Sequence, residues 1–145
     1  MQDDMLKLEN QICFPLYAAS RLVTKLYQPI LSKWDITYPQ YLVFLLLWEK
    51  DKRTVSDICN CLFLESSTLT PLLKRLETKD YIVRTRSLQD ERSVIIQLTP
   101  KGKALRKEAK KIPQEILQSV SSKTIKKRDL VQLKSTLSEI TKVIQ

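Results

Sequence analysis

The stretch TVSDICNCLFLESSTLTPLLKRLETKDYIVRTRSLQDERSVIIQLT, residues 54–99, carries the strongest structural pattern in the chain. Its first part predicts a short helix capped by Thr54, and a second helix follows after a break near Leu64–Glu65. The apolar faces of the two helices are Val55, Ile58, Cys59, Leu62 and Leu69, Leu72, Leu73, Leu76. This arrangement is typical of a helix-turn-helix.

Two runs that alternate between apolar and polar residues follow the second helix. They are YIVRTR at 81–86 and SVIIQLT at 93–99, and the polar segment SLQDER joins them. Their β-branched residues and their alternation predict two strands around an exposed basic tip. The predicted fold class is therefore mainly α with a small β-hairpin wing, a winged helix-turn-helix.

The second helix turns hydroxyl and cationic side chains away from its leucines. Such a face suits a recognition helix, because hydroxyls reach base edges or phosphates and cations neutralise the DNA backbone. The candidate DNA-binding residues on this helix are Ser66, Ser67, Thr68, Thr70, Pro71, Lys74 and Arg75. A proline inside a helix loses a hydrogen bond, so we expect the helix to begin nearer Thr70 or to have a distorted first turn.

The wing supplies four further candidate DNA-binding residues, Arg84, Arg86, Asp90 and Arg92. Arg84 and Arg86 are two positions apart on a strand and are expected to share a face. An arginine at the tip can enter the narrow minor groove, and neighbouring acids can orient it. On its own the tip would be read as a solvated charged turn, but beside a basic helix face DNA contact is favoured.

The composition suits one basic domain. The 145 residues include 25 Lys and Arg against 16 Asp and Glu, a net charge of +9, with three cysteines and no histidine. Zinc, iron–sulfur and histidine-based chemistry need more ligands or bases than this, so no metal, cofactor or catalytic site is expected. The longest apolar run, YLVFLLLW at 41–48, is too short to cross a membrane, and we expect a cytoplasmic protein with no membrane partner.

Both ends of the chain have apolar stripes with the spacing of a coiled coil. The stripes are Ile12, Leu16, Ala19, Val23, Leu26, Ile30 and Leu130, Leu133, Leu137, Ile140, Ile144. Each stripe could pack on its own core, but a homodimer interface built from both ends is favoured. We expect one domain spanning 1–145, with dimerisation helices at about 1–35 and 112–145 and the winged helix-turn-helix at about 36–100.

The runs LESSTLTPLLKRLE and YIVRTRSLQDERSVIIQLTPKGK resemble the recognition helix and wing of MarR-type transcriptional regulators. LENQICFPLYAASR and ITYPQYLVFLLLWE resemble the organic-hydroperoxide-sensing branch, the OhrR-like proteins and their staphylococcal-type relatives. The resemblance covers essentially the whole chain. It implies a homodimeric repressor that binds a pseudo-palindromic duplex operator, senses organic hydroperoxides or other oxidants through a cysteine, and then releases DNA.

Cys13 matches the sensing cysteine of that branch, and Tyr17, Tyr27 and Tyr38 match the tyrosines that hold it. On one helix Tyr17 is a neighbour of Cys13, whereas Tyr27 lies about 21 Å further along and must approach from the other subunit. A phenol hydrogen bond favours the thiolate, which attacks a peroxide to give a sulfenic acid. That product is expected to form a mixed disulfide with a low-molecular-weight thiol or to over-oxidise.

Pro15 predicts that the long N-terminal helix begins near Cys13 rather than at Lys7, since proline is tolerated only in a first turn. The positive end of the helix dipole would then favour a thiolate at Cys13. Cys59 is expected in the core and Cys61 at a partly exposed position, and neither is a candidate sensor.

Three other functions remain open. A MarR-type regulator could respond to small aromatic ligands, with Cys13 as a packing residue. A broader thiol-based regulator of virulence or biofilm could use the same cysteine. A thiol peroxidase is less favoured, because no basic constellation surrounds Cys13 in the sequence.

Overall fold

The structure is a computed structural model that describes residues 3–145. Its helices are α1 Cys13–Leu31, α2 Tyr38–Glu49, α3 Val55–Leu62, α4 Ser66–Thr78, α5 Pro100–Ala109, α6 Ile112–Val120 and α7 Lys127–Ile144. Its strands are β1 Arg53–Thr54, β2 Ile82–Arg86 and β3 Val94–Leu98. Short 3-10 helices occupy Asp3–Leu6, Leu8–Asn10 and Ser32–Trp34. The predicted class, mainly α with a β-hairpin wing, is confirmed.

The chain forms two compact units. One holds Tyr27–Lys110 and the other holds the residues up to Leu26 together with Lys111–Gln145. The first contains α2 to α5 and the whole sheet, and is named the winged-helix unit. The second contains α6, α7 and the greater part of α1, and is called the terminal unit.

The core of the winged-helix unit is formed by side chains from α2, α3, α4 and the sheet. Its fully buried members include Val43, Phe44, Leu47, Ile58, Leu69, Leu73, Leu76, Ile82 and Ile96. Gln40 is buried among them, and its side-chain oxygen accepts the backbone N–H of Thr37 at 2.9 Å. Its amide nitrogen donates to the carbonyl of Leu72 at 3.2 Å, so the first turn of α2 is hydrogen-bonded to α4.

The turn between α3 and α4 follows the predicted helix-turn-helix. Thr54 caps α3 through its hydroxyl oxygen, which accepts the N–H of Asp57 at 3.1 Å. Phe63 ends α3 in the left-handed region with φ of 55°. The N–H of Leu64 then donates to the carbonyl of Cys59 at 3.1 Å, which completes the tight turn.

Pro71 lies inside α4, which begins at Ser66. The expectation that the helix begins nearer Thr70 is therefore wrong. Local propensity disfavours proline at this position, but Leu69, Leu73 and Leu76 are fully buried on the opposite face and keep the helix continuous. The ring of Pro71 is exposed, where the lost backbone bond is least harmful.

The wing pairs β2 and β3 in antiparallel register, from Ile82 opposite Leu98 to Arg86 opposite Val94. A third strand, β1, adds to the other side of β3, which gives the order β1-β3-β2. β1 has two residues, Arg53 and Thr54, and was not predicted, because so short a strand has no alternating pattern.

In the terminal unit, α1 begins at Cys13, and residues 11–12 separate it from the short Leu8–Asn10 turn. The prediction from Pro15 is confirmed. The C-terminal stripe lies on α7, of which no described residue is buried in the single chain. On α1 the stripe residues Leu16 and Leu26 are likewise exposed. Stripes of exposed apolar side chains of this kind are typical of a contact face.

Within residues 3–145, none of the helices is both long enough and apolar enough to cross a bilayer.

Gly102, in the first turn of α5, offers a test of the packing between this helix and the wing. A Cβ added there would overlap the carbonyl oxygen of Tyr81 and lie 3.0 Å from Cδ2 of Leu98. Gly102→Ala should therefore lower the free energy of unfolding by about 1–3 kcal/mol in urea denaturation. Arg106→Ala, at an exposed position of α5, is the control and should change it by less than about 0.5 kcal/mol. Equal stability of the two variants would mean that α5 does not pack as described.

Candidate DNA-binding surface and thiol site

The open face of α4 presents the side chains that the sequence predicted for DNA contact. Thr70 is half-buried, and the other six are exposed: Ser66, Ser67, Thr68, Pro71, Lys74 and Arg75. Among the described residues neither Lys74 nor Arg75 forms an ion pair, so both cations are available to phosphates. The structure thus gathers hydroxyls and cations on one solvent-facing helix surface.

The tip of the wing is a hydrogen-bonded turn. Asp90 accepts the backbone N–H of Arg92 at 3.0 Å with one carboxylate oxygen and the hydroxyl of Ser93 at 3.0 Å with the other. The hydroxyl oxygen of Ser87 accepts the N–H of Gln89 at 3.2 Å. Asp90 therefore acts on the backbone of Arg92, and the exposed Arg92 side chain extends from a fixed turn.

A groove of about 540 Å³ lies between α3, α4 and the hairpin. Ser66, Thr70, Arg84 and Arg92 line it, so it adjoins the predicted DNA surface on two sides. Cys59 also lines the groove and is half-buried, which corrects its expected place in the core: Ile58 is the residue of α3 that the core encloses.

Arg84 differs from the other wing arginines, because only 21% of its side chain is exposed. Its Nη1 lies 3.8 Å from Oε2 of Glu77, and its backbone N–H donates to Oε1 of Glu77 at 3.2 Å. Its Nε is buried without a hydrogen-bond partner. Arg84 and Arg86 thus share a face of the strand by their register, as expected. They do not share an environment, because Arg86 is exposed. The sequence reasoning missed Glu77. The one sign of its role in the sequence was an acidic residue on a basic helix face.

Cys13 is the first residue of α1 and is exposed. Tyr17, one turn later, is exposed as well, and the guanidinium carbon of Arg21 lies 5.6 Å from the centroid of its ring. Arg21 was not predicted as part of the site, although its four-residue spacing from Tyr17 is the signal of such a pair. Cys61 is exposed on α3, with its sulfur 3.9 Å from Oδ1 of Asp57.

Tyr27 and Tyr38 meet in the winged-helix unit, with ring centroids 4.6 Å apart. Tyr41, which the sequence reasoning missed, is buried beside them at 5.8 Å from Tyr27 and 6.4 Å from Tyr38. Burial, followed by the charges that Tyr38 and Tyr41 could carry, raises the pKa of Tyr27 to about 12. The cluster is therefore a set of neutral phenols at ordinary pH.

In the part of the chain that the structure describes, no three metal-ligating side chains come together.

A helix with an open basic face, a wing with arginines and an exposed cysteine at the start of α1 are the features that the structure presents. The chain belongs to the SarA/Rot family of MarR-type winged-helix transcriptional regulators, and the family model "Transcriptional regulator SarA/Rot" matches residues 25–109. The MarR-type resemblance expected from the sequence is thereby confirmed.

The individual relatives of the chain are consistent with this family assignment. The chain is 53% identical to the organic hydroperoxide resistance transcriptional regulator of Bacillus subtilis, over 92% of this chain and 89% of that protein. Two structures of AbfR, a protein of Staphylococcus epidermidis, match the whole of both chains. Reduced AbfR bound to DNA gives a TM-score of 0.75 at 34% identity. Overoxidized AbfR bound to DNA gives 0.77 at 33% identity.

The tyrosine cluster predicts a pH dependence of stability. Because the pKa of Tyr27 rises from 10.0 to about 12, the folded protein holds this phenol proton more tightly than the unfolded chain does. The resulting stability is complete below pH 10 and is lost as the pH rises through the interval to about 12. Tyr27→Phe should therefore make the free energy of unfolding fall less steeply across this interval in urea denaturation. A slope identical to that of the wild type would refute the shift.

Proposed function

We propose that the protein is a homodimeric, cytoplasmic repressor that binds a pseudo-palindromic duplex operator and releases it when organic hydroperoxides or other oxidants act on Cys13. The observation that carries the proposal is the exposed thiol at the first residue of α1, in a chain whose α4 presents an open basic face. The 53% identity to a regulator named for organic hydroperoxide resistance supports the choice of oxidant.

DNA docking is supported by two exposed surfaces of the winged-helix unit. A single helix fits the major groove, and α4 offers Ser67, Lys74 and Arg75 on its free side. Arg86 and Arg92 on the wing suit the adjacent minor groove, where the negative potential is strongest. The net charge of +9 favours such a polyanionic partner.

Homodimer formation is supported by the apolar stripes on α1 and α7. Leu16, Leu26, Leu133 and Ile140 are exposed in the single chain, and a second copy would remove them from water. A two-fold dimer places two recognition helices on two half-sites, which matches a pseudo-palindromic operator.

The proposed chemistry starts from the Cys13 thiolate. The sulfur attacks the O–O bond of a hydroperoxide, which gives a sulfenic acid and expels the alcohol once the alkoxide takes a proton. A low-molecular-weight thiol then condenses with the sulfenic acid, forming a mixed disulfide and releasing water. Overoxidized AbfR is a DNA complex, so we assign release of DNA to the disulfide rather than to a single over-oxidised sulfur.

The partner subunit is proposed to bring Tyr27 and Tyr38 to the thiol. The two phenols lie together, with ring centroids 4.6 Å apart, and one hydroxyl of this pair can donate a hydrogen bond to the thiolate. Tyr17, in the turn after Cys13, would supply a second phenol from the same chain.

A second candidate function is a response to small aromatic acids. The groove beside α4 favours it, because Thr70 and the half-buried Arg84 line a space of about 540 Å³. Thermal stabilisation by phenolic acids, together with indifference to peroxide, would select this function over the thiol switch.

DNA binding by α4 can be tested through its salt dependence. Lys74→Ala should weaken binding to the protein's own promoter region on all sequences alike and reduce the slope of log K against log salt by about one. Lys142→Ala on α7 removes the same charge from the terminal unit, where Lys142 pairs with Glu139 at 2.8 Å. That control should bind with the wild-type slope. Equal slopes in all three proteins would exclude Lys74 from the interface.

The thiol switch can be tested by gel shift with cumene hydroperoxide and a small thiol. Wild type should lose the operator and recover it with dithiothreitol, whereas Cys13→Ser should keep it throughout. Cys59→Ser and Cys61→Ser are matched controls and should respond as the wild type does. Peroxide-dependent release by Cys13→Ser would rule out Cys13 as the switch.

A further inference from the structure

Glu77 connects the recognition helix with the wing. It lies near the C-terminal end of α4, and 43% of its side chain is exposed. One carboxylate oxygen accepts the backbone N–H of Arg84 at 3.2 Å, and the other lies 3.8 Å from Nη1 of the same residue. A single carboxylate on the reading helix therefore contacts both the main chain and the side chain of β2.

The N–H that Glu77 accepts has no partner in the sheet. β2 is an edge strand in the order β1-β3-β2, and Arg84 is opposite Ile96 of β3. Because the N–H of Arg84 donates to Glu77, it faces away from β3. An unpaired edge N–H leaves a strand free to shift or to pair elsewhere, and the carboxylate removes that freedom.

The side chain of Arg84 packs against this carboxylate and does not extend freely into solvent. Its side chain is mostly enclosed, and its Nε is buried without a partner. Arg86 and Arg92, by contrast, are exposed. The wing thus contains arginines of two kinds, one held at its base and two directed outward.

We propose that Glu77 and Arg84 form a joint that fixes the wing relative to α4, and that Glu77 is a positioning residue for the minor-groove contact of the wing. The inference rests on the proposed DNA-binding function and deepens it, because it assigns Arg84 to the joint and leaves Arg86 and Arg92 for DNA. The joint holds the major-groove reader and the minor-groove reader at one spacing.

The direction in which removal of Glu77 changes DNA affinity distinguishes this role from simple charge repulsion. A carboxylate beside the binding surface repels DNA, so its removal should strengthen binding if charge is all that matters. Loss of the joint lets the wing move, so the free energy needed to order the wing must then come from binding. The joint therefore predicts weaker binding on removal of a negative charge.

The first experiment compares Glu77→Ala, Glu77→Gln and Glu91→Ala for affinity to the promoter region by fluorescence anisotropy. Glu77→Ala should weaken binding at least about five-fold, and Glu77→Gln should restore most of it, since its amide oxygen still accepts the N–H of Arg84. Glu91→Ala, an exposed acid at the wing tip, is the charge control and should bind as tightly as wild type or more tightly. Wild-type or tighter binding by Glu77→Ala overturns the joint alone, whereas a wild type that does not bind DNA overturns the proposed function as well.

A double-mutant cycle identifies the element through which Glu77 acts. In an Arg92→Ala background the effect of Glu77→Ala should shrink to less than about two-fold, because the contact that the joint positions is already gone. In a Lys74→Ala background it should keep its full size. Hydroxyl-radical footprints of Glu77→Ala should lose protection in the flanking minor groove and retain it around the major-groove site. An undiminished effect with Arg92→Ala, or a uniform loss of the footprint, would make Glu77 a general support of the fold and overturn the joint.

Discussion

Burial of the leucine face of α4 is the constraint on which the winged-helix unit depends. Leu69, Leu73 and Leu76 are fully enclosed, and each contributes about 1.5–3 kcal/mol by leaving water. Together these contributions exceed the roughly 3 kcal/mol that a proline inside a helix costs, so α4 runs through Pro71. Because one face is anchored, the opposite face with Lys74 must point outward. The orientation of the exposed face of α4 is thus set by the leucines that the helix buries.

Side-chain hydrogen bonds tie α4 to two of its neighbours in the unit. The bond from Gln40 to Leu72 holds the start of α2 to α4, and the carboxylate of Glu77 holds β2. Tyr27 and Tyr38 belong to this unit as well. In the proposed dimer, a change at the Cys13 sulfur of one subunit would therefore reach, through these phenols, the unit that binds DNA in the other.

Local patterns predicted most of the fold, and non-local contacts account for what they missed. The leucine spacing of α4, the alternation in β2 and β3 and the effect of Pro15 are each properties of a few consecutive residues. The enclosure of Arg84 depends on Glu77, seven positions earlier on another element, and so could not be read from the strand. Tyr41 lies three residues after Tyr38 on α2, so its place beside Tyr38 follows from helical spacing, whereas its contact with Tyr27 of α1 is non-local. β1 forms because its two residues pair with the free edge of β3. A stretch of two residues does not reveal this pairing.

The proposed switch is reversible control of DNA affinity by one sulfur. The decisive measurement is operator affinity, by fluorescence anisotropy, of one protein sample that contains only Cys13, with Cys59 and Cys61 replaced by serine. The sample is followed from reduced thiol to mixed disulfide and back, with the state of Cys13 read by mass spectrometry at each stage. Affinity should collapse as the disulfide forms and return in full on reduction. An affinity that stays constant while the mass shows complete disulfide formation would mean that Cys13 is not the switch.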